Sequence, residues 1–139
     1  MAKELNEEVT NHLEFLGYEV EKLEADTGFL YIARAQNKSN LIVRSINNMT
    51  IITTRWNGYQ MKALKSKDFF EAINTINQKL FTKWFFERGT DKEEVNLVIE
   101  ATYYDYNRPT FGGFIEGFES EVKTNITTFS DFIIEEDAK

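Results

Sequence analysis

Few residues of this chain have side chains suited to catalysis, and they form no recognisable catalytic pattern. His12 is the only histidine, and cysteine is absent. The sequence therefore excludes a thiol nucleophile, a Cys-ligated zinc site and an iron–sulfur cluster. It also lacks the Gly-x-Ser-x-Gly signature of a serine hydrolase. We interpret His12 as a residue at the boundary of a helix's apolar face.

Neighbouring carboxylates are the remaining candidates for acid–base or metal chemistry. They are Glu93, Glu94, Glu116, Glu119 and Glu121. Paired carboxylates serve glycosidases and bind hard cations, but on an acidic helix they are more typical of a solvated surface. The glycines of segment 111–117 match neither G-x-G-x-x-G nor the P-loop, which favours helix packing over phosphate binding. We predict no catalytic residue, no cofactor and no metal, and hence no enzyme.

Charge is distributed unevenly along the 139 residues, whose formal net charge is −7. Residues 1–26 carry eight acids and two bases, and residues 68–139 carry fifteen acids and seven bases. The bases of residues 27–67, a stretch without any acid, are Arg34, Lys38, Arg44, Arg55, Lys62, Lys65 and Lys67. Two interpretations stay open: these bases pair with acids of the flanking helices, or they form a cationic surface for an acidic partner.

Aromatic residues are abundant, at 14% of the chain. Because tyrosine and tryptophan are large and amphipathic, they are favoured at interfaces. Joined with the arginines, they give the candidate partner-binding residues Arg34, Arg44, Arg55, Trp56, Tyr59, Tyr103, Tyr104 and Tyr106. Basic side chains interleaved with aromatic ones also suit single-stranded nucleic acid. On segment 27–67 the basic side chains would neutralise phosphates, and the aromatic rings would stack on nucleobases.

The hydrophobic pattern that positions these residues switches between helical and strand periods. The helices are expected over 3–16, 67–81 and from 109–113 to about 134. The strands are expected over 18–24, 29–35, 41–46, 49–56, 82–88 and 95–106, with a loop at 56–60. Short polar turns favour antiparallel hairpins. We therefore predict a single α+β domain, 1–139, in the order α-β-β-β-β-α-β-β-α, with a mainly antiparallel sheet packed by helices and a frayed tail at 135–139.

Two asparagines, Asn74 and Asn77, interrupt the apolar face of the second predicted helix. Asparagine is a poor interior helix residue because its amide competes for backbone groups. We interpret them as a buried structural pair that bonds strand backbone and fixes how the helix sits on the sheet. Contact with a partner's strand is the alternative.

Three segments follow one another in a characteristic order: 13–20 (LEFLGYEV), 69–77 (FFEAINTIN) with 83–86 (KWFF) behind it, and 95–101 (VNLVIEA). In this order they resemble the YbjN-like family, which shares the fold of the type III secretion chaperones. The resemblance implies a small cytoplasmic bacterial domain, often dimeric, that has no known catalytic residues. It also implies protein binding, because proteins with this fold commonly bind other proteins. The tyrosine-rich segment 102–110 and the long final helix depart from the family.

From these features we expect a non-enzymatic protein-interaction domain, either chaperone-like or a regulatory adaptor, that acts as a cytoplasmic homodimer. The final helix and the strand 95–106 are the candidate dimer interfaces. No apolar leader and no run of about 18 apolar residues occurs, so neither a secretory signal nor a membrane span is predicted. The alternative function is single-stranded nucleic-acid binding through residues 27–67.

Overall fold

The computed structural model describes residues 7–25, 28–46, 49–60, 67–88, 94–127 and 129. Its helices are α1 (Glu7–Phe15), α2 (Lys67–Lys79) and α3 (Arg108–Asn125). Its strands are β1 (Glu19–Ala25), β2 (Gly28–Arg34), β3 (Leu41–Ile46), β4 (Met49–Gln60), β5 (Lys83–Arg88) and β6 (Glu94–Tyr104). This order confirms the predicted α-β-β-β-β-α-β-β-α sequence of elements. The predicted tail at 135–139 lies outside the described residues. None of the described helices contains a stretch that is long and apolar enough to cross a membrane.

The six strands form a sheet in the order β1-β2-β3-β4-β6-β5. Strands β1 to β4 pair antiparallel in chain order, with Glu19 opposite Arg34 at one end and Ile46 opposite Met49 at the other. This meander is what short polar connections produce, because they return the chain alongside the strand it has just left. The predicted α+β class with an antiparallel sheet is confirmed.

The chain divides into two compact units. The first contains residues 1–54 and 100–119, and the second contains residues 55–99 and 120–139. The core of the first unit consists of Val9, Leu13, Tyr18, Tyr31, Ala33, Leu41, Val43, Ile52, Ala101, Phe111, Ile115 and Phe118. The core of the second consists of Phe69, Ile76, Trp84, Val95, Leu97, Val98, Ile99, Val122 and Phe129. Each unit thus buries its own set of apolar side chains.

Helix α1 ends where its sequence predicts, at the residues before Gly17, whereas its expected start at residue 3 lies outside the described residues. Glu7 and Glu8 occupy its first turn, where the helix dipole favours negative charge. Gly17 follows the helix with a φ of 100°, the left-handed conformation in which glycine commonly ends helices. The amide of Tyr18 then bonds the carbonyl of Leu13 at 3.0 Å. This turn directs the chain into β1.

Three boundaries differ from the sequence-based expectation. Helix α3 was expected to run to about 134, but its α-helical part ends at Asn125, and residues 130–134 lie outside the described residues. Strand β4 continues to Gln60, so the expected loop at 56–60 is part of a strand. Asn57 and Gly58 are poor strand formers, which explains the expectation, but pairing within a sheet overrides local propensity. Strand β6 ends at Tyr104 because Asp105 takes a φ of 50°, which breaks the extended backbone. Helix α3 begins three residues later, at Arg108.

Candidate functional site

The first compact unit contains a groove of about 670 Å³, which we call the α1 groove. Its lining residues are Glu8, Asn11, His12, Phe15, Tyr106, Asn107 and Arg108. The first four come from α1, where their spacing of three and four residues places them on one helix face. Tyr106 and Asn107 come from the turn between β6 and α3, and Arg108 is the first residue of α3.

His12 lies at the centre of a cluster of rings in this groove. Its Nδ1 is 2.8 Å from the hydroxyl of Tyr106, and its ring meets those of Phe15 and Tyr106 edge to face. The buried ring of Phe111 is 5.1 Å away between centroids. A Cβ on Gly112 would lie 3.4 Å from His12 Nε2, which is an ordinary van der Waals contact. Helix α3 therefore passes close beside the imidazole at this position.

Tyr103 holds the turn that carries the groove's other wall. Its hydroxyl accepts a hydrogen bond from the amide of Asn107 at 3.1 Å and donates to the carbonyl of the same residue at 3.0 Å. That carbonyl also accepts the first backbone bond of α3, from Phe111 at 2.9 Å. The Tyr103 ring packs on Phe111, with centroids 5.2 Å apart. The turn is thereby fixed, and it presents Tyr106 and Arg108 to the groove.

The electrostatics of the groove centre on Tyr106. Burial raises the pKa of its hydroxyl above the ordinary value, the Glu8 carboxylate raises it further, and the Arg108 guanidinium opposes the shift. One carboxylate and one guanidinium therefore act on the same hydroxyl. No three acidic or histidine side chains are grouped as a metal site in the part of the chain that the structure describes.

The basic residues of segment 27–67 are paired with carboxylates wherever the structure describes their side chains. The pairs are Arg34–Glu21 at 2.6 Å, Lys38–Glu119 at 3.5 Å, Arg44–Glu100 at 3.5 Å and Arg55–Glu87 at 2.8 Å. Three of the four acids lie on strands and only Glu119 on a helix, which differs from the expected pairing with flanking helices. The side chains of Lys62, Lys65 and Lys67 lie outside the described residues.

The predicted partner-binding aromatics separate in the structure. Tyr106 lines the α1 groove and Tyr103 supports it, while Tyr104 is 63% exposed at the end of β6. Trp56 belongs to the second unit, where its indole N–H is buried without a partner among the described residues. The side chain of Tyr59 lies outside the described residues. Of the predicted arginines, Arg34 and Arg44 belong to the first unit and Arg55 to the second, and none lines the groove.

Sequence reasoning missed most of the groove's lining. Of the lining residues only Tyr106 is a predicted site residue, and His12 was interpreted as a residue at the boundary of the helix's apolar face. The lining residues that the sequence did not indicate as site residues are Glu8, Asn11, His12, Phe15, Asn107 and Arg108. A weak signal existed on α1, because an aromatic at its last turn continues the helix face of Glu8 and His12. Nothing in the sequence indicates that this face meets the turn before α3.

The two asparagines of α2 behave differently. Asn77 donates to the carbonyl of Trp84 at 2.9 Å and accepts from its amide at 2.8 Å, so it bonds the backbone of β5. Asn74 is exposed one turn earlier. Neither residue is buried, which differs from the expected buried pair. The arrangement ties α2 to the first residues of β5 within the second unit.

Comparison with known proteins places the fold. No family model matches the chain, and no curated protein matches it. Among solved structures it matches the crystal structure of YbjN, a candidate transcription regulator from E. coli, with a TM-score of 0.65. The match covers 89% of this chain and 90% of that chain, at 15% sequence identity. The chain has the YbjN fold. The predicted resemblance is thus confirmed for the YbjN fold, and identity this low shows the fold alone.

Proposed function

We propose that this chain is a non-enzymatic protein-interaction domain that docks a partner protein in the α1 groove. The observation that carries the proposal is the exposure of Phe15, which is 86% exposed at the wall of this groove. A phenylalanine ring in water forgoes the stabilisation of about 2 kcal/mol that burial provides. An interface regains it, because the partner covers the ring.

The composition of the groove also supports a protein partner. Aromatic rings and arginine are enriched at the centres of protein interfaces, and here Phe15, Tyr106 and Arg108 line one groove. Asn11 and Asn107 add amides that can donate to or accept from a peptide backbone.

The nucleic-acid alternative receives less support. Arg34, Arg44 and Arg55 would have to give up carboxylate partners at 2.6 to 3.5 Å before they could bind phosphates. The net charge of −7 also repels a polyanion. We expect a labelled single-stranded oligonucleotide to show no salt-dependent binding at 50 and about 200 mM salt, conditions under which phosphate contacts change affinity greatly. Binding that weakens with salt would favour the alternative.

A comparison of matched variants tests the proposal. Tagged wild-type chain, Phe15→Asp and Phe70→Asp are used to capture proteins from source-cell lysate, with and without nuclease. Phe70 is the control because it is also exposed, at 54%, but belongs to the second unit. We expect a protein retained by the wild type and by Phe70→Asp, lost with Phe15→Asp, and insensitive to nuclease. Equal retention by all three chains would contradict docking in the groove.

The same proteins address the predicted homodimer. Light scattering on the wild type and on Phe15→Asp gives the mass of each in solution. We propose that the partner is a different protein, so both chains should have the same mass. A dimer that becomes a monomer only in Phe15→Asp would mean that a second copy covers the groove. The cytoplasmic location and the regulatory role stay predictions, the latter in keeping with the regulator description of YbjN.

A further inference from the structure

The polar residues of the α1 groove specify the chemistry of its occupant. We infer that the groove selects an extended protein segment that presents an aromatic side chain close to a single carboxylate. This inference rests on the proposed function and adds to it the kind of sequence that the partner offers.

The aromatic part of the inference comes from the ring cluster. The rings of Phe15 and Tyr106 each meet the imidazole of His12 edge to face, with centroids 6.4 and 6.0 Å from it. Because Phe15 is 86% exposed, its face is open to a further ring. Aromatic pairs in such offset or edge-to-face geometry are more favourable than their buried area alone implies. A ring from the partner would thus extend a cluster that is already formed.

The carboxylate part comes from Arg108. This residue lines the groove, is exposed, and makes no ion pair with any carboxylate that the structure describes. It differs in this respect from Arg34 and Arg44 of the same unit, which both hold glutamates. Arg108 is also the first residue of α3, where the helix dipole adds partial positive charge. Planar guanidinium groups bind carboxylates through two parallel hydrogen bonds.

The number of carboxylates is limited by the surrounding charge. Glu8 lines the same groove, and its carboxylate acts on the Tyr106 hydroxyl together with Arg108. A second negative charge on the partner would meet Glu8 and the net charge of −7, and Arg108 is the one cation among the described lining residues. A segment with one acid beside its aromatic residue is therefore the best match, and a run of acids is disfavoured.

The extended form of the segment follows from the amides. Asn11 lies on α1 and Asn107 on the turn before α3, so the two side-chain amides come from the two elements that form the groove. Each amide can donate and accept, which is what an unpaired peptide backbone requires. The groove's volume of about 670 Å³ falls within the range of about 300–1,000 Å³ that is usual for binding pockets.

Titration of the full isotope-labelled chain with a capped peptide tests the inference. The probe is acetyl-Gly-Ser-Phe-Asp-Ser-Gly-amide, and the amide chemical shifts of the chain report its binding. We expect the amide signals that change to belong to residues 8–15 and 106–112. Replacing the peptide's aspartate with asparagine, or its phenylalanine with alanine, should each weaken binding about tenfold, since a charged hydrogen bond and a buried ring each have that effect.

Variants of the chain identify the cation. Arg108→Gln should weaken binding of the Phe-Asp peptide about tenfold. It should leave the affinity of the asparagine peptide unchanged, because that peptide has no carboxylate to pair with Arg108. Arg88→Gln is the matched control, since Arg88 is exposed, carries the same charge and belongs to the second unit. It should bind like the wild type.

Three results would overturn the inference. They are no shift changes at millimolar peptide, equal affinity for the aspartate and asparagine peptides, or shifts in the free chain that depend on its own concentration, which would assign the groove to a second copy. If the peptide does not bind but protein capture still depends on Phe15, the aromatic and carboxylate specificity is rejected and the proposed docking function stands. If the peptide binds but protein capture does not depend on Phe15, the groove has this specificity and the proposed docking function is rejected.

Discussion

The two compact units each contain an aromatic cluster, and the clusters differ in how they meet solvent. In the second unit Phe69, Trp84 and Phe129 are at most 1% exposed, and the indole of Trp84 stacks on Phe129 with centroids 5.6 Å apart. In the first unit the cluster around His12 is only partly closed. Phe111 is fully buried at its base, but Phe15 is 86% exposed at its rim.

The polar groups of the two clusters differ in the same way. The Trp84 indole donates to the hydroxyl of Thr82 at 2.8 Å, and that hydroxyl donates to Glu121 at 2.7 Å. The side chain of Asn77 hydrogen-bonds both the amide and the carbonyl of Trp84. In the α1 groove Arg108 has no such partner among the described residues. The closed cluster satisfies its own polar groups, and the proposed docking of a partner would do the same for Arg108 in the α1 groove.

The comparison teaches that aromatic content alone does not indicate a role. Both clusters combine phenylalanines with other aromatic rings: Trp84 in the second unit, and His12, Tyr103 and Tyr106 in the first. Complete burial makes the cluster of the second unit a source of stability. Partial exposure makes the cluster of the first unit suited to recognition. Substitutions should therefore separate the two by their effects on the free energy of unfolding.

The largest effect is expected at Trp84. Trp84→Ala should lower the free energy of unfolding by about 3–5 kcal/mol, because it removes a fully buried ring and leaves a cavity beside Phe129. Phe15→Ala, its counterpart in the first unit, should change that free energy by no more than about 0.5 kcal/mol. Urea unfolding followed by circular dichroism measures both. Similar losses in the two variants would remove the distinction between the clusters.

The next effect is expected at Asn77. Asn77→Ala leaves both the amide and the carbonyl of Trp84 without their partner, which should lower the free energy of unfolding by about 1–3 kcal/mol. Asn74→Ala is the matched control on the same helix and should stay within about 0.5 kcal/mol of the wild type. Thermal or urea unfolding distinguishes them. An equal loss of the free energy of unfolding in Asn74→Ala and Asn77→Ala would mean that the two asparagines act as the structural pair expected from the sequence.

A smaller effect, with a defined pH dependence, is expected at Tyr18 in the first unit. Burial and the hydrogen bond to Glu119 raise the pKa of its phenol above the ordinary 10.0. Tyr18→Phe should cost about 1–2 kcal/mol below pH 10, where the phenol is protonated in both states. Above pH 10 the unfolded wild type releases the proton while the folded chain keeps it, so the wild type loses stability that the variant never had.

The difference between wild type and Tyr18→Phe should therefore narrow as the pH rises above 10. Unfolding at pH 8, 10 and 11 gives the slope, and the other titrating groups cancel because both chains share them. A difference that is constant across this range would mean that Tyr18 titrates alike in the folded and unfolded chain. The measured slope sharpens the comparison of the two units, because it shows whether a buried aromatic of the first unit contributes to stability as the core of the second does.

The order of elements could be predicted from sequence because it depends on local periodicity. The helical spacing of Val9 and Leu13 and the alternation along β6 identify their elements directly. The end of α1 at Gly17 was also predictable, since a left-handed residue there favours glycine. The continuation of β4 through Asn57 and Gly58 was not, because sheet pairing is a tertiary effect.

The candidate site was less predictable, for a physical reason. Phe15 and Arg108 line one groove although 92 residues separate them in the chain. Their proximity depends on how α1 packs against the start of α3, and periodicity does not give that packing. The same holds for the ion pairs of Arg34 and Arg44, whose acids lie on strands. Composition showed the excess of bases but not the sheet order that neutralises them.

Photo-crosslinking at position 15 tests the central claim most directly. The chain is produced in its own cells with p-benzoylphenylalanine in place of Phe15, and in a parallel sample in place of Phe70. The account predicts a crosslink at position 15 to a specific protein other than this chain, and none to that protein at position 70. A crosslink to that protein from position 70 with none from position 15, or crosslinks from 15 only to a second copy, would contradict it.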